Sequence, residues 1–407
     1  MKRILLGGAT ALALAVPGAA QAQQAAPQAS NRLSFHPIVE ARARYESASQ
    51  GALDADALTL RVRAGAEARV GAFSLLAEGE ATVAPVNDYN AFAFAVASDQ
   101  RRPQYAVVAD PENAELNRLQ LQYRTQRVTL TLGRQRINLD DQRWVGAVGW
   151  RQNEQTFDAL RAEARLGPVQ ADLAYAISQR TIFGEDSGPR AALDGDFVLA
   201  GLAARSGPVQ GRLFAYLIDY DEAFALPNSS QTYGGWISAE LPAGRARLTG
   251  RASYARQSDH GANPFDYAAD YWSFEAGARL AGFTIAAGWE QLGSDNGRAV
   301  QTPLATLHRF NGWADVFLTT PTAGLEDGYV SISRSFEHVR ALPGLNLTVA
   351  WHQYDSAAGD AEYGTEWNAS VGFRVGRVSV LAKFADYDAA GFGIDTRRFW
   401  LQAEWVL

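Results

Sequence analysis

The chain has 407 residues but no cysteine, a single methionine, and lysine only at positions 2 and 383. Without cysteine it can form no disulfide framework, no cysteine-ligated zinc or iron–sulfur site and no thiol nucleophile. Basic residues number 37 and acidic residues 44, which gives a formal net charge of −7. That balance argues against a general nucleic-acid binder, because such a protein presents a basic face to the phosphates.

The first 22 residues have the features of a secretory signal peptide. Lys2 and Arg3 precede an apolar run over residues 4–16, and Ala20-Gln21-Ala22 has the small residues of a cleavage site. We therefore expect a signal peptide over residues 1–22, a short flexible leader over 23–32 and a single domain over 33–407. No later segment reaches 18 consecutive apolar residues, so the sequence predicts no membrane-spanning helix in the exported chain.

Beyond the leader, apolar and polar residues alternate with a period of two. From Leu58 to Val70 every even-numbered residue is apolar, and every odd-numbered one is Thr, Arg, Gly or Glu. A strand keeps such a pattern on one face, whereas a helix does not. Runs of this kind predict 18 strands, over residues 33–46, 56–70, 72–84, 116–125, 127–139, 156–166, 169–182, 196–205, 209–220, 232–241, 245–256, 270–280, 283–293, 328–336, 344–354, 363–374, 378–387 and 396–407. The predicted fold is all-β, a closed transmembrane antiparallel β-barrel of about 18 strands.

The connections between these strands alternate between short and long. Short ones such as Gly167-Pro168 predict tight turns, and the longest are residues 85–115 and 294–327. Short periplasmic turns and long extracellular loops are typical of bacterial outer-membrane barrels, so we expect that location and contact with outer-membrane lipid. A soluble β-sandwich is the alternative, but its strands are shorter and its apolar faces need a second sheet. The last strand, residues 396–407, resembles the signal read by the outer-membrane assembly machinery, which we expect as a partner.

A barrel of this size encloses a water-filled lumen, so the polar half of each strand should line it. Arginine is frequent at these positions, and we select four of them as pore-lining residues: Arg61, Arg63, Arg118 and Arg161. A guanidinium group stays charged and binds carboxylates as a planar fork, so such a wall predicts an anion-selective channel. The alternative is that arginine and glutamate form cross-strand pairs that only stabilise the wall.

Two connecting segments are too rich in charged and aromatic residues to be simple loops. The first, LGRQRINLDDQRW from residue 132 to 144 with WRQNEQTFD from 150 to 158, could form an ion-paired constriction or a saccharide-contact surface. The second, QTPLATLHRFNGWAD from residue 301 to 315, is aromatic enough to fold inward as a gate. Packing at the rim is the alternative for this second segment. Its candidate gate residues are His308, Arg309, Trp313 and Asp315.

Both segments resemble stretches typical of the alginate export family of outer-membrane porins. The LGRQRINLDDQRWVG and WRQNEQTFDALR blocks are the more telling, and TPLATLHRFNGWADVFLTTP supports them. The resemblance implies a monomeric, arginine-lined channel that passes an anionic polysaccharide or oligosaccharide such as alginate. It also implies a set of constriction residues: Arg134, Arg136, Asp140, Asp141, Arg143, Asn153 and Asp158.

Signals for catalysis are weak. The five histidines show no metal-binding spacing, and the chain has no G-x-S-x-G motif. We therefore expect no enzyme activity, no metal and no cofactor. Two alternatives to a channel for acidic saccharides stay open. One is a porin for other small solutes, neutral or aromatic, and the other is an outer-membrane hydrolase that uses His260 with Ser253 or Ser258.

Overall fold

A computed structural model describes residues 32–336 and 339–407. The expected signal peptide, residues 1–22, and all of the expected leader except Arg32 lie outside the described residues.

Eighteen antiparallel strands form one sheet, and the first strand pairs with the last, so the sheet closes into a barrel. The closing contact runs in register from Glu40 opposite Val406 to Gln50 opposite Thr396. The strands are β1 Ser34–Gln50, β2 Leu53–Val70, β3 Phe73–Asp88, β4 Asn113–Arg124, β5 Val128–Gln135, β6 Thr156–Leu166, β7 Val169–Arg180, β8 Ala192–Ser206, β9 Val209–Tyr220, β10 Ser230–Ala243, β11 Ala246–Asp259, β12 Ala268–Leu280, β13 Phe283–Leu292, β14 Leu325–Ser335, β15 Asn346–Asp355, β16 Glu362–Val375, β17 Val378–Ala389 and β18 Thr396–Val406.

The predicted barrel and its 18 strands are confirmed, with two local differences. The loop expected between β1 and β2 is only a two-residue turn, because both strands extend to pair Gln50 with Leu53. Strand β5 ends at Gln135 instead of continuing to residue 139. Just before that end, Gly133 has a φ of 108°, a conformation that favours glycine, and the chain then leaves the sheet.

The two faces of the sheet differ as the alternation predicts. On β2, Leu60 and Val62 are exposed on the outside, whereas Thr59, Arg61 and Arg63 are buried on the inside. The same holds around the barrel, where outward side chains such as those of Leu213 and Val330 are 68% and 50% exposed. Such a continuous apolar surface needs hydrocarbon around it, so the barrel spans the bacterial outer membrane. Among the described residues no helix is long and apolar enough to cross a membrane.

Outward tyrosines mark the extracellular edge of this apolar surface. The Tyr45 hydroxyl donates to Asp56 at 2.5 Å, and the Tyr254 hydroxyl donates to Asp270 at 2.9 Å. Tyr45 lies opposite Leu58, and Tyr254 lies opposite Trp272. In each case the acid is two residues from that partner along the strand, on the side of the extracellular loops. An aromatic ring in lipid with a wet hydroxyl is the arrangement expected at a membrane–water interface.

Candidate functional site

Two extracellular loops fold into the barrel and pack against each other. Loop A is defined as residues 136–155 and loop B as residues 293–324. The Gly146 N–H donates to the Leu304 carbonyl at 2.8 Å, and the Thr306 N–H donates to the Gln142 carbonyl at 3.1 Å. Side chains of both loops join one buried apolar cluster with the inner wall: Ile137, Val145, Trp150, Leu304, Trp313, Phe317, Phe214, Tyr271, Tyr354 and Trp400. The loops therefore fill much of the lumen and narrow the open path.

Both loops contain residues other than glycine in the left-handed backbone region. These are Asp140, Gln142 and Val148 in loop A, with φ of 52°, 69° and 51°, and Asn296, Asn311 and Asp315 in loop B, with φ of 49°, 55° and 61°. Val148 is β-branched, and for such a residue this conformation is a genuine outlier. A strained backbone persists only where its surroundings fix it, so these loops are held firmly in place.

Arginines of β1 hold loop A against the wall. Arg42 donates from Nη1 to the carbonyl oxygens of Gly149 and Arg151, each at 3.1 Å. Arg44 donates to the carbonyl of Trp150 and forms an ion pair with Asp110 at 3.1 Å. These carbonyls have no strand partner, so the buried guanidinium groups supply the donors that the loop backbone needs.

Arg61 and Arg63, two of the predicted pore-lining residues, belong to this buried layer. Arg61 is fully buried and contacts Glu40 at 3.3 Å and Glu404 at 3.2 Å. Arg63 pairs with Glu80 and with Glu154 of loop A. They face inward as predicted, but loop A covers them, so they do not line the open path.

A second cluster links the wall to loop A and is partly open to the lumen. Arg118, on β4, donates two hydrogen bonds to Glu78 at 2.9 and 2.6 Å. Arg136, at the start of loop A, pairs with both Glu78 and Glu154 and keeps 23% of its side chain exposed. Burial alone would raise the pKa of Glu154, but Arg136, Arg63 and other arginines lower it to about 2. Glu154 is therefore ionised at neutral pH, and Arg136 is the most accessible cation of the cluster.

Arg134 and Asp158 occupy a different face from the one expected. They form a bidentate pair with both distances 2.9 Å, in register on β5 and β6. Each is two residues from an exposed outward leucine, Leu132 or Leu160, so by strand alternation the pair lies on the outer face. These two residues therefore do not line the lumen, contrary to the expectation from the family resemblance.

Two further predicted residues have local partners. Asn153 is buried in loop A, accepts from the Thr82 hydroxyl at 3.0 Å and donates to the Pro111 carbonyl at 3.2 Å, so it anchors the loop. Arg161 faces the lumen from β6, is mostly buried, and pairs with Glu163 at 3.0 Å.

The adjacent acids of loop A contact the opposite wall. Asp140 contacts Arg212 of β9 at 3.1 Å, and Asp141 contacts Arg251 of β11 at 3.2 Å. Burial raises the pKa of Asp140, and Arg212 acts against that increase. The second pair is the more open, with 29% of the Asp141 side chain and 27% of the Arg251 side chain exposed. Loop A thus spans the lumen from one wall to the opposite wall, where the Asp141–Arg251 ion pair stays accessible.

Arg143 connects the two loops. It donates to Glu290 of β13 at 2.8 Å, and to Thr302 and Asn311 of loop B at 3.2 Å each. Its side chain is buried, so this predicted constriction residue joins the loops instead of meeting solute.

Loop B is attached to the wall through His308 and to loop A through Asp315. Asp315 is bonded to Arg151 at 2.5 Å and to Nδ1 of His308 at 2.8 Å. Because the carboxylate accepts, Nδ1 carries the proton, which leaves Nε2 to accept from the Lys383 ammonium at 2.7 Å. Burial lowers the pKa of His308 to about 3, although Asp315 acts in the opposite direction. The histidine is therefore neutral at physiological pH.

Trp313 and its neighbour are fixed by a buried carboxylate. Glu366, on β16, accepts the backbone N–H groups of Trp313 and Ala314 at 2.5 and 2.9 Å. The Trp313 ring lies 3.8 Å from the Lys383 ammonium, which also lies 4.2 Å from the Trp150 ring. The sole lysine beyond position 2 is thus enclosed by aromatic rings where loop B meets the wall.

Arg309 differs from the other arginines of the two loops. It is half-buried, and within the described part of the chain its guanidinium makes neither a hydrogen bond nor an ion pair. Burial lowers its pKa, whereas the nearby carboxylates Asp141 and Glu275 raise it and Arg251 lowers it further. A guanidinium with five unused N–H donors, beside the accessible Asp141–Arg251 pair, is suited to bind an anion.

The sequence did not identify several residues that build the site. Lys383 and Glu366 lie on strands far from the loops in sequence, and Arg212 and Arg251 were only part of a general arginine pattern. The rarity of lysine was the one available signal for Lys383.

Three solved structures show the same fold. Acinetobacter baumannii OccAB4 has a TM-score of 0.73 at 13% identity, covering 93% of this chain and 99% of that chain. Pseudomonas aeruginosa OccK2 (OpdF), solved in complex with glucuronate, has a TM-score of 0.68 at 15% identity, covering 92% and 98%. The outer-membrane protein OpdK from P. aeruginosa, solved with vanillate, has a TM-score of 0.71 at 15% identity, covering 93% and 99%.

Sequence comparison matches a smaller part of the chain than structural comparison does. No curated protein matches the chain. The family model described as alginate export matches residues 37–178, which include loop A and the β1 arginines that hold it against the wall. The chain folds as an 18-stranded outer-membrane β-barrel, and its resemblance to the alginate export family is confirmed over residues 37–178.

Proposed function

We propose that the barrel is a passive channel for anionic oligosaccharides or polysaccharides such as alginate, and that it performs no chemistry. The observation that carries the proposal is that the guanidinium of Arg309, next to the Asp141–Arg251 pair, has no hydrogen-bond or ion-pair partner among the described residues. A solute carboxylate can bind Arg309 without breaking any existing ion pair, and it can then compete with Asp141 for Arg251. Weak sites of this kind, used one after another, permit passage without trapping the solute.

The residues around Arg309 also suit a sugar ring. The guanidinium of Arg251 lies 4.2 Å above the Trp236 ring, and Arg309 lies 5.8 Å from the Phe310 ring. Aromatic faces beside fixed cations can contact the apolar side of a pyranose while the cations hold its carboxylate. Glucuronate and vanillate, bound in two structures of the same fold, both carry a carboxylate, which supports an anionic solute.

Current block in planar bilayers tests this proposal. Uronic-acid oligomers should block the channel at lower concentration than neutral oligosaccharides of equal length. Arg309→Gln should weaken block by the acidic oligomers about tenfold or more, because hydrogen bonds to a charged group contribute about 1.5–3 kcal/mol.

Arg397→Gln is the matched control, because Arg397 pairs with Asp386 on the outer face and is 64% exposed. It should leave the block unchanged. Equal block by neutral and acidic oligomers, or an unchanged block in Arg309→Gln, would reject the carboxylate site.

A porin of the same shape for aromatic carboxylates is the second candidate, and the vanillate bound to OpdK favours it. Block by vanillate at concentrations where acidic oligosaccharides have no effect would support this candidate instead.

A further inference from the structure

Charge is distributed unequally between the two ends of the barrel. The eight connections at the periplasmic end, each taken with three flanking residues on either side, contain twelve arginines and no aspartate. Their sequence contains one glutamate, Glu337, whose position lies outside the described residues. The nine extracellular connections, counted in the same way, contain 29 carboxylates and twelve arginines. The periplasmic end is therefore basic and the extracellular end acidic.

Seven of the twelve periplasmic arginines face the lumen. Strand alternation places them opposite to outward leucines, valines and aromatics of the same strands, such as Tyr123 beside Arg124 and Val375 beside Arg374. We call these seven the mouth ring: Arg69, Arg124, Arg165, Arg205, Arg247, Arg279 and Arg374. They lie on seven different strands, so they surround the opening instead of forming a patch on one side.

Most of the mouth ring is exposed and unpaired. Arg124, Arg165, Arg205 and Arg374 are exposed, and none of them forms an ion pair with a described carboxylate. The other three have partners: Arg69 pairs with Glu67, and Arg247 and Arg279 share Glu240. The ring thus has a surplus of positive charge toward the lumen, whereas the wall beneath loop A is neutralised by its own glutamates.

We propose that the mouth ring captures an anionic saccharide chain arriving from the periplasm, so that the channel loads polyanions at its periplasmic end. This inference rests on the proposed function and adds to it the side from which the solute is taken. Phospholipid headgroups are the less suitable partner, because lumen-facing side chains cannot reach the surrounding leaflet.

The ring acts on rates and not on the final equilibrium. A passive pore has no energy source, so a concentration gradient sets the net direction. Clustered charge of one sign concentrates counter-ions and raises on-rates by about 10–10³-fold, and this effect falls with ionic strength. Acidic extracellular loops repel the same chain and favour its release on that side. The mouth ring therefore makes periplasmic loading faster than extracellular loading.

Single-channel block by a uronic-acid oligomer added to one chamber tests the proposal. The chain has no cysteine, so Ala358→Cys in the exposed extracellular loop 356–361 can be biotinylated, and streptavidin in one chamber then reports orientation. At 0.1 M salt the on-rate of block from the periplasmic chamber should exceed that from the extracellular chamber by about tenfold or more. At 1 M salt, where the Debye length is about 3 Å, the difference should largely disappear.

Replacing Arg124, Arg165, Arg205 and Arg374 together by Gln should bring the periplasmic on-rate to within about twofold of the extracellular one. The dwell time of each block should not change, because the binding site of Arg309 is intact. The matched control removes four arginines from the turns and the outer face: Arg127, Arg245, Arg334 and Arg377. If the quadruple variant does not fold, Arg124→Gln with Arg374→Gln should give part of the same loss.

Three results would overturn the proposal that the mouth ring captures anionic saccharide chains from the periplasm. They are equal on-rates from both chambers in the unaltered protein, an unchanged on-rate in the ring variant, and an equal loss in the control variant. Each leaves the proposed function standing as long as block occurs. Absence of block from either side would instead reject the proposed function itself.

Discussion

Asp315→Asn removes one negative charge at the point where loop B is attached to loop A. Asparagine has the same shape and tolerates the left-handed backbone of this residue, whose φ is 61°, so the backbone is not strained further. The change leaves Arg151 with only Glu46, at 3.6 Å. Arg151 and Asp315 expose only 5% and 2% of their side chains, so the remaining guanidinium stays buried and poorly paired.

Breaking a buried ion pair by removing one partner costs about 3–5 kcal/mol. Since each 1.4 kcal/mol is a factor of ten, the undocked fraction of loop B should rise about a hundredfold to a few thousandfold. Hydrogen exchange of the Trp313 and Ala314 amides, which donate to Glu366 in the docked loop, measures this fraction directly.

Asp266→Asn is the control, because this exposed carboxylate of the loop 260–267 forms no ion pair with any described residue. Its effect on the two amides should be negligible. Unchanged exchange in Asp315→Asn would refute the attachment of loop B through this residue.

Three further predictions concern pH, backbone conformation and the lipid face. His308 has a pKa of about 3 when docked and about 6.5 when exposed, so between these values the undocked loop binds the extra proton. Docking should therefore weaken as pH falls from 7 to 4, seen as lower amide protection factors, and His308→Gln should remove this dependence. Gly195→Ala should destabilise the barrel to urea by clearly more than Gly207→Ala; both glycines have positive φ, but only at Gly195 would the added Cβ overlap a backbone carbonyl. Val330→Arg should cost about 2–4 kcal/mol of folding stability in lipid, whereas the neighbouring inward Ser331→Arg should cost far less, and equal costs would contradict the assignment of faces.

The sequence predicted the barrel well because strand alternation is a local signal. Each apolar–polar run depends only on neighbouring residues. Because every strand has lipid on its outer face and water on its inner face, the same alternation is favoured in all of them. The short turn after β1 was missed, because the loop sequence gives no sign that β1 and β2 continue to pair as far as Gln50 and Leu53.

The candidate site was predicted less well, because its contacts are distant in sequence. Arg61 and Arg63 face inward as expected, but nothing local indicates that loop A, about ninety residues later, covers them. Arg134 was placed in the lumen by family resemblance, whereas the phase of alternation from Leu132 places it outside. Arg309 stands out only in three dimensions, where its lack of partners becomes visible.

The reversal potential of single channels under a salt gradient measures directly whether the open path selects anions. If the open path is lined by Arg309, Arg251 and Arg136 as described, anions should permeate better than cations, and Arg309→Gln should reduce this preference. A channel that prefers cations, or one whose preference is the same with and without Arg309, would show that these arginines do not set its selectivity.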